Sequence, residues 1–436
     1  MRHVKKLSLF FLLFVAASLL HPGTGRGIIY IDINSPQTRK FYLALPAITA
    51  LGQLPQGMTG EVEKTLAQDL IMADLFYLLE RVKLPRQAAY ITEENVDFKE
   101  WEDRGAEFLL SIGLKAEGDT ISMEFRLFDA VQHIYIAGKR YKGSQGEVRV
   151  MAHRTIDEVI QQLTGERGIF QTKIAFVTDR TGNKEIALMD VDGRLVKAVT
   201  QNGSINISPA WHPDGRSLVY TCFQRRNPDL YQVFISTGSS VLLSAVPGLN
   251  AAPAWSPDGK SIALMMRGKG NTEIYLLNPQ GKDPLQLTRS WDNKASPAWA
   301  PDGKQIAFVS DRSGNPQIYI LDLATQKLRR LTYEGSYNCS PAWSPKGDKI
   351  AFARQEEKGF HIYTIRPDGT DVRRITKEGS NENPSWAPNG RHIAFTSRRG
   401  GSCTIYLMTA DGGGPWKVTA VSESNETEPA WSPWLQ

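Results

Sequence analysis

The chain has 436 residues, 41% of them hydrophobic and 22% charged, with a formal net charge of +5. This is room for two or three globular domains with sizeable cores. Four of the positive charges, Arg2, Lys5, Lys6 and Arg26, lie in the first 27 residues. The chain beyond Gly27 is nearly neutral, which removes the electrostatic case for a nucleic-acid-binding protein.

Residues 1–27 read as a secretory signal peptide. A cationic start precedes an uncharged apolar run from Leu7 to Leu20, and small and turn-forming residues come after it. The run falls short of the roughly 20 residues that span a bilayer core.

Residues 28–167 have the texture of a compact α/β domain. "GIIYIDIN" and "KFYLALPAI" read as strands, and "TGEVEKTLAQDLIMAD" as a helix whose Val62, Leu66, Leu70 and Ala73 share one face. Three alternating runs, "EFLLSIGLKA", "TISMEFRLFDA" and "HIYIAGKRYKG", predict an antiparallel meander. A second helix opens on a capping box from Ser144 to Glu147, buries Val148, Ala152, Ile156, Val159 and Leu163, and stops at Gly165. The segment "GERGIFQT" joins this domain to the rest of the chain.

From residue 168 to 436 the chain repeats itself. Tryptophans stand at 211, 255, 299, 343, 386 and 431, so the period is about 44 residues, the length of a four-stranded propeller blade. Each period carries "PAW", a Pro-Asp-Gly-like turn, an "IAF"-like strand, a Gly/Asn cluster and two further short strands. Lys173–Thr200 supplies three strands without a "PAW", and the C-terminal "EPAWSP" supplies the missing first strand. Six blades closed by the C-terminal strand are therefore expected, a closure that leaves no sheet edge unpaired at the seam. The repeated residues read as scaffold, with Trp as an apolar wedge between blades.

No nucleophile elbow, H-E-x-x-H, phosphate loop or dinucleotide fingerprint occurs. No catalytic residue, metal or cofactor is expected. "DVDG", Asp190–Gly193, lacks the remainder of a calcium loop and reads as a hairpin turn. Cys222, Cys339 and Cys403 are odd in number and widely spaced, and read as scattered thiols rather than a disulfide framework. The variable segments before each "PAW" place Asn206, Asn250, Lys294, Asn338, Asn381 and Glu426 at equivalent positions. These residues are expected to ring one mouth of the channel together with "TDRTGN", "SDRSGN" and "SRRGGS". A ring of amides with few fixed charges suits hydrogen bonding to a protein partner; the competing reading is that Asn serves turn geometry alone.

The leader, "YIDINSPQTRKFYLALP", the junction "AHRTIDEVIQQLTGERGIFQTKIAFVTDR" and the "PAWSPDG" ring together resemble the TolB family of periplasmic Tol-Pal proteins. The resemblance covers essentially the whole chain after the leader. It implies a non-enzymatic, monomeric periplasmic scaffold that supports outer-membrane integrity and constriction during cell division, and that meets membranes only through its partners. One partner would be a Pal-like peptidoglycan-associated outer-membrane lipoprotein held at the propeller mouth, with Leu249, Asn250, Ala252, Lys294 and Ala295 foremost. The other would be a TolA-like inner-membrane-anchored protein, engaged by the segment after the leader: Ile28, Ile29, Tyr30, Ile31, Asp32, Ile33 and Asn34. That segment also reads as a strand, so alternation between packed and bound states would couple the two partners. Similar propellers accompany peptidases and lyases; an enzyme-like propeller lacking its catalytic domain is the alternative.

Overall fold

A computed structural model describes residues 39–84, 90–267, 270–419 and 424–435. The expected leader, and the segment Ile28–Asn34, lie outside the described residues.

The N-terminal sheet is mixed. β1 (Phe41–Ala44) runs parallel to both β3 (Phe76–Leu78) and β4 (Phe108–Glu117), and the short β2 (Thr49–Ala50) also pairs with β4 in parallel. The expected meander is present as β4, β5 (Thr120–Asp129) and β6 (Ile134–Ser144), all antiparallel. Its edge strand β6 is polar and half exposed, as an unpaired edge requires.

Two helices cover one face of this sheet. α1 (Met58–Ala73) buries Val62, Leu66, Leu70 and Ala73, the face that its periodicity predicts. On the other side of the sheet lies α2 (Phe98–Asp103), whose Trp101 packs with Leu109 and Phe128. α3 (Val148–Thr164) comes after a single 3-10 turn in which the Glu147 carboxylate accepts from the Ser144 backbone N–H at 2.8 Å. All five of its expected apolar residues are buried, and Gly165 ends it in the left-handed region at φ 74°. With helices on both faces, β4 is buried along most of its length, which explains its continuous apolar run.

The remainder is a six-bladed propeller of four-stranded antiparallel sheets. The seam blade pairs the innermost strand Glu426–Trp431 with Lys173–Thr178, so closure falls where the truncated repeats indicate. Within each blade the second strand is almost wholly buried, while the outermost is two to five residues long. The Pro-Asp-Gly turn needs its glycine; Gly303, for example, sits at φ 70°.

The tryptophans do more than fill space. The indole N–H of Trp211 donates to Ala430 O at 2.9 Å, that of Trp299 to Ala254 O at 3.1 Å, and that of Trp386 to Ala342 O at 2.9 Å. In each case the acceptor is the residue before the tryptophan of the preceding blade, so apolar wedge and polar clasp are one side chain.

The two domains share a core. The face of α1 and α3 that covers the sheet is continuous with Ile174, Phe176, Met189, Ala394, Leu407 and Trp431 of the propeller. The junction is packed as well: Ile169 and Phe170 are buried, and the Asp157 carboxylate accepts from the backbone N–H groups of Phe170 and Gln171.

Candidate functional site at the open propeller mouth

A propeller has two ends, and here they differ in what covers them. One end carries the turns between first and second strands and between third and fourth. Against it the N-terminal domain docks through polar contacts drawn from both. His392, at the start of a second strand, pairs through Nε2 with Met72 O at 2.9 Å, and Trp434 donates to Gly168 O at 3.0 Å. Complete burial pushes His392 down to about 4, so this imidazole is neutral.

The strongest contact at that end is a buried charge cluster. Arg149 and His153 stand one turn apart on α3. Arg149 binds Asp190 and, at 2.6 Å, Asp192; His153 Nδ1 lies 2.7 Å from Asp69 on α1, and Lys173 reaches Asp190 at 2.6 Å. Burial opposes charge on His153, but the Asp192 carboxylate at 3.6 Å and the hydrogen-bonded Asp69 carry it up to about 9. Burial alone would raise Asp192; His153 and Arg149 instead hold it well below the usual carboxylate range. Complete burial outweighs the His153 partner at Asp69 and pushes that carboxyl up to about 6. The "DVDG" segment is indeed a hairpin turn, with Gly193 N–H donating to Asp190 O at 2.9 Å. Its two carboxylates also fasten the domains together, a role that the turn motif does not reveal. The signal available was Arg149, His153 and Asp157 at successive i, i+4 positions beside the apolar stripe of α3.

The opposite end, built from the loops that enter each innermost strand and the hairpins between second and third strands, carries no contact from the N-terminal domain among the described residues. These two loop sets do meet: Asn293 N–H donates to Asp311, Asn425 N–H donates to Asp179, and Asn250 N–H donates to Pro228 O.

The expected ring residues all stand at the start of innermost strands, but their side chains do not face the channel. Asn206, Asn250, Asn338, Asn381 and Glu426 are 0% exposed and Lys294 is 1% exposed. The amide of Asn250 donates to Val246 O at 2.7 Å, Gly248 O at 3.2 Å and Pro228 O at 3.2 Å. Asn206 bonds Asn202 and Glu185, Asn338 bonds Gln317 and Glu334 O, and Asn381 bonds Glu378 O and Gly379 O. Lys294 takes the same place with an ammonium held by Asp292, Glu273 and Ser290, while Glu426 is paired with Arg180. The picture of an exposed amide ring is therefore corrected: a buried loop carbonyl needs a donor, and the Asn amides and the Lys294 ammonium supply it, while the Glu426 carboxylate accepts from Arg180.

Two residues further on, the chain turns over. Ser208, Ala252, Ser296, Ser340, Asn383 and Glu428 all have φ between 50° and 55°, each at the bulge of its innermost strand and each directly before a proline. Ala252 and these equivalents are half buried, as are Leu249 and Ala295. Leu249 uses its carbonyl to accept from Arg267 N–H at 3.1 Å.

The groups that the mouth does expose are aromatic and basic. Trp291 is 75% exposed and Tyr333 72%, both on loops leading into innermost strands, and Tyr337 and Ile205 are also exposed. Arg225, Arg226, Arg267, Arg312 and Arg398 project from the hairpins. The expectation of few fixed charges overlooked the arginines within "TDRTGN", "SDRSGN" and "SRRGGS" themselves. The three cysteines are free thiols, and burial pushes Cys339, near this mouth, up to about 12. Among the described residues no His, Cys, Asp and Glu cluster is arranged to hold a metal, and no helix is long and apolar enough to cross a membrane.

Residues 160–435 match the family described as the TolB beta propeller domain, and residues 29–134 match the TolB amino-terminal domain. A Tol-Pal system protein TolB of Desulfosudis oleivorans is 38% identical over 236 residues, which is 50% of this chain and 53% of that protein. One from Geobacter metallireducens is 43% identical over 212 residues, 48% of this chain and 47% of that protein. The chain thus spans about half the length of the curated relatives it matches. Among solved structures, TolB from Acinetobacter baumannii superposes with a TM-score of 0.80 at 27% identity, covering 91% of this chain and 97% of that one.

Proposed function

Since the chain belongs to the TolB family, with both the propeller and the amino-terminal domain of that family, we propose that it is a periplasmic, non-enzymatic binding scaffold of a Tol-Pal system. Its open mouth receives the periplasmic domain of a peptidoglycan-associated lipoprotein. The segment Ile28–Asn34 engages a TolA-like protein anchored in the inner membrane, and the two contacts support the outer membrane during division.

One observation carries the first assignment. The end facing the N-terminal domain is fastened by buried charges, whereas the opposite mouth exposes Trp291, Tyr333 and Tyr337. Tryptophan, tyrosine and arginine on a free surface are the residue types that dominate protein interfaces. The buried ring residues enter this reading as supports: Asn206, Asn250, Lys294, Asn338, Asn381 and Glu426 shape the loops, and Leu249, Ala252, Ala295 and the exposed aromatics form the surface.

The test is a titration of the soluble domain of the Pal-like lipoprotein from the same organism against the mature protein. Replacing both Trp291 and Tyr333 by Ala weakens binding by about 2 kcal/mol or more while the fold, followed by circular dichroism, is retained. Unchanged affinity would remove the mouth as the binding surface. For the second assignment, deletion of residues 28–34 should abolish capture of the TolA-like domain; retention of full affinity would refute it.

A further inference from the structure

The exposed charges of the mouth are not evenly spread. The loops of the three consecutive blades that begin at Asn206, Asn250 and Lys294 expose Arg225, Arg226, Arg267, Arg289 and Arg312, and among the described residues none of the five makes an ion pair with a carboxylate. Their four acidic neighbours are already spent. Glu273 and Asp292 are buried around Lys294, Asp229 is buried with Asn227, and Asp311 accepts from the backbone and side-chain N–H groups of Asn293. Trp291 stands at the centre of this sector. Its carbonyl is held by Asn271, on the hairpin that carries Arg267, and two residues on, Asn293 is held by Asp311, next to Arg312.

The facing sector is different. There Arg354 pairs with Glu334 at 3.3 Å, Arg374 with Glu356 at 2.8 Å and Arg180 with Glu426, while Arg398 and Arg399 make no ion pair with a carboxylate among the described residues. One mouth therefore has a half in which three arginines are answered by carboxylates and two are not, and a half with five unanswered guanidinium groups around an exposed indole.

We infer that this arginine sector receives an acidic stretch of the protein partner, which orients that partner across the mouth with its carboxylates over the blades from Asn206 to Arg330. Guanidinium groups offer paired donors that match carboxylates, and unpaired rim charges act chiefly by steering association. The inference rests on the mouth being the partner site, and adds the chemistry and orientation of the bound partner.

The experiment measures association and dissociation of the soluble Pal-like lipoprotein domain, with the intact mature protein and with the charge-reversal variant Arg225→Glu, Arg226→Glu, Arg312→Glu. A second variant, Arg373→Glu, changes an arginine whose side chain turns back to Asp371, in the turn between third and fourth strands at the covered end. The triple variant is expected to associate at least about tenfold more slowly, and its binding to lose most of the salt dependence shown by the unaltered protein between about 50 and 200 mM. The Arg373→Glu variant should behave as the unaltered protein. If the triple variant binds with unchanged rate and salt response while the Trp291, Tyr333 variant fails, the mouth remains the site and the acidic partner is refuted. If no form binds the lipoprotein domain, the mouth reading itself fails and this inference with it. If phosphatidylglycerol vesicles bind the intact protein but not the triple variant, and the lipoprotein domain binds both alike, the sector reads a lipid surface and the inference is overturned.

Discussion

The two ends of the propeller are made from the same repeat, but they place their polar groups in opposite ways. At the end under the N-terminal domain, Asp190 and Asp192 are buried and answered from α3 by Arg149 and His153. At the open mouth the buried polar and charged residues, such as Asn250 and Lys294, are answered within the propeller itself, and the arginines of the hairpins are left in solvent. The difference separates stability from recognition: substitutions at the covered end should be felt in folding, and those at the mouth's rim in binding.

The largest effect is expected from Arg149→Met. It leaves two buried carboxylates without their main partner and should cost about 3 to 5 kcal/mol, read as a drop in the denaturant midpoint and faster proteolysis at the junction. A loss below about 1 kcal/mol would mean that the cluster does not fasten the domains.

The second expectation concerns pH. The folded value of His153 is raised from 6.5 to about 9, so its contribution is fully present below about pH 6.5 and fades as pH rises through about 9. Asp192 is depressed, so its contribution is present above its ordinary range and is lost in acid. Thermal midpoints should therefore decline between about pH 6.5 and 9, and the His153→Gln variant, already weakened, should lack that decline. An identical alkaline limb in both proteins would assign it to another group.

Next comes Asn250→Ala, which strands the Val246 and Gly248 carbonyls and should cost about 1 to 3 kcal/mol, measured by chemical denaturation. If the variant loses partner affinity with no loss of stability, Asn250 touches the partner directly and the comparison between the two ends is broken. The smallest effect is expected for Arg312→Gln, within about 0.5 kcal/mol of the unaltered protein in stability, although it lies in the sector proposed to meet the partner.

Much of this architecture was legible because local rules and packing agree. The faces of α1 and α3, the stop at Gly165, the meander from β4 to β6 and the seam of the propeller all derive from periodicities and turn residues that act within a few positions in the chain. The parallel pairing of β1 between β3 and β4 was not legible. Strands of three or four residues carry little pattern, and their neighbours are set by a crossover through α1. Of the candidate site, the backbone position was legible and the facing of the side chains was not. Its position at the entry to the innermost strands derives from the repeat, but periodicity does not say whether an Asn at a turn faces solvent or an unsatisfied carbonyl. A buried carbonyl costs more than an exposed amide gains, and the loops resolved that balance inward.

By itself, then, the sequence determined an α/β domain and, after it, six equivalent blades closed end to end, because every repeat must bury the same strand against the same neighbour. Only the tertiary structure decided which end of the ring is covered, since that depends on charges far apart in the chain, Asp69 and the Asp190–Asp192 turn, converging on one side of α3. It likewise decided that the variable Asn residues build the mouth from within while the arginines and Trp291 face outward, because burial is a property of the closed ring and not of any single blade.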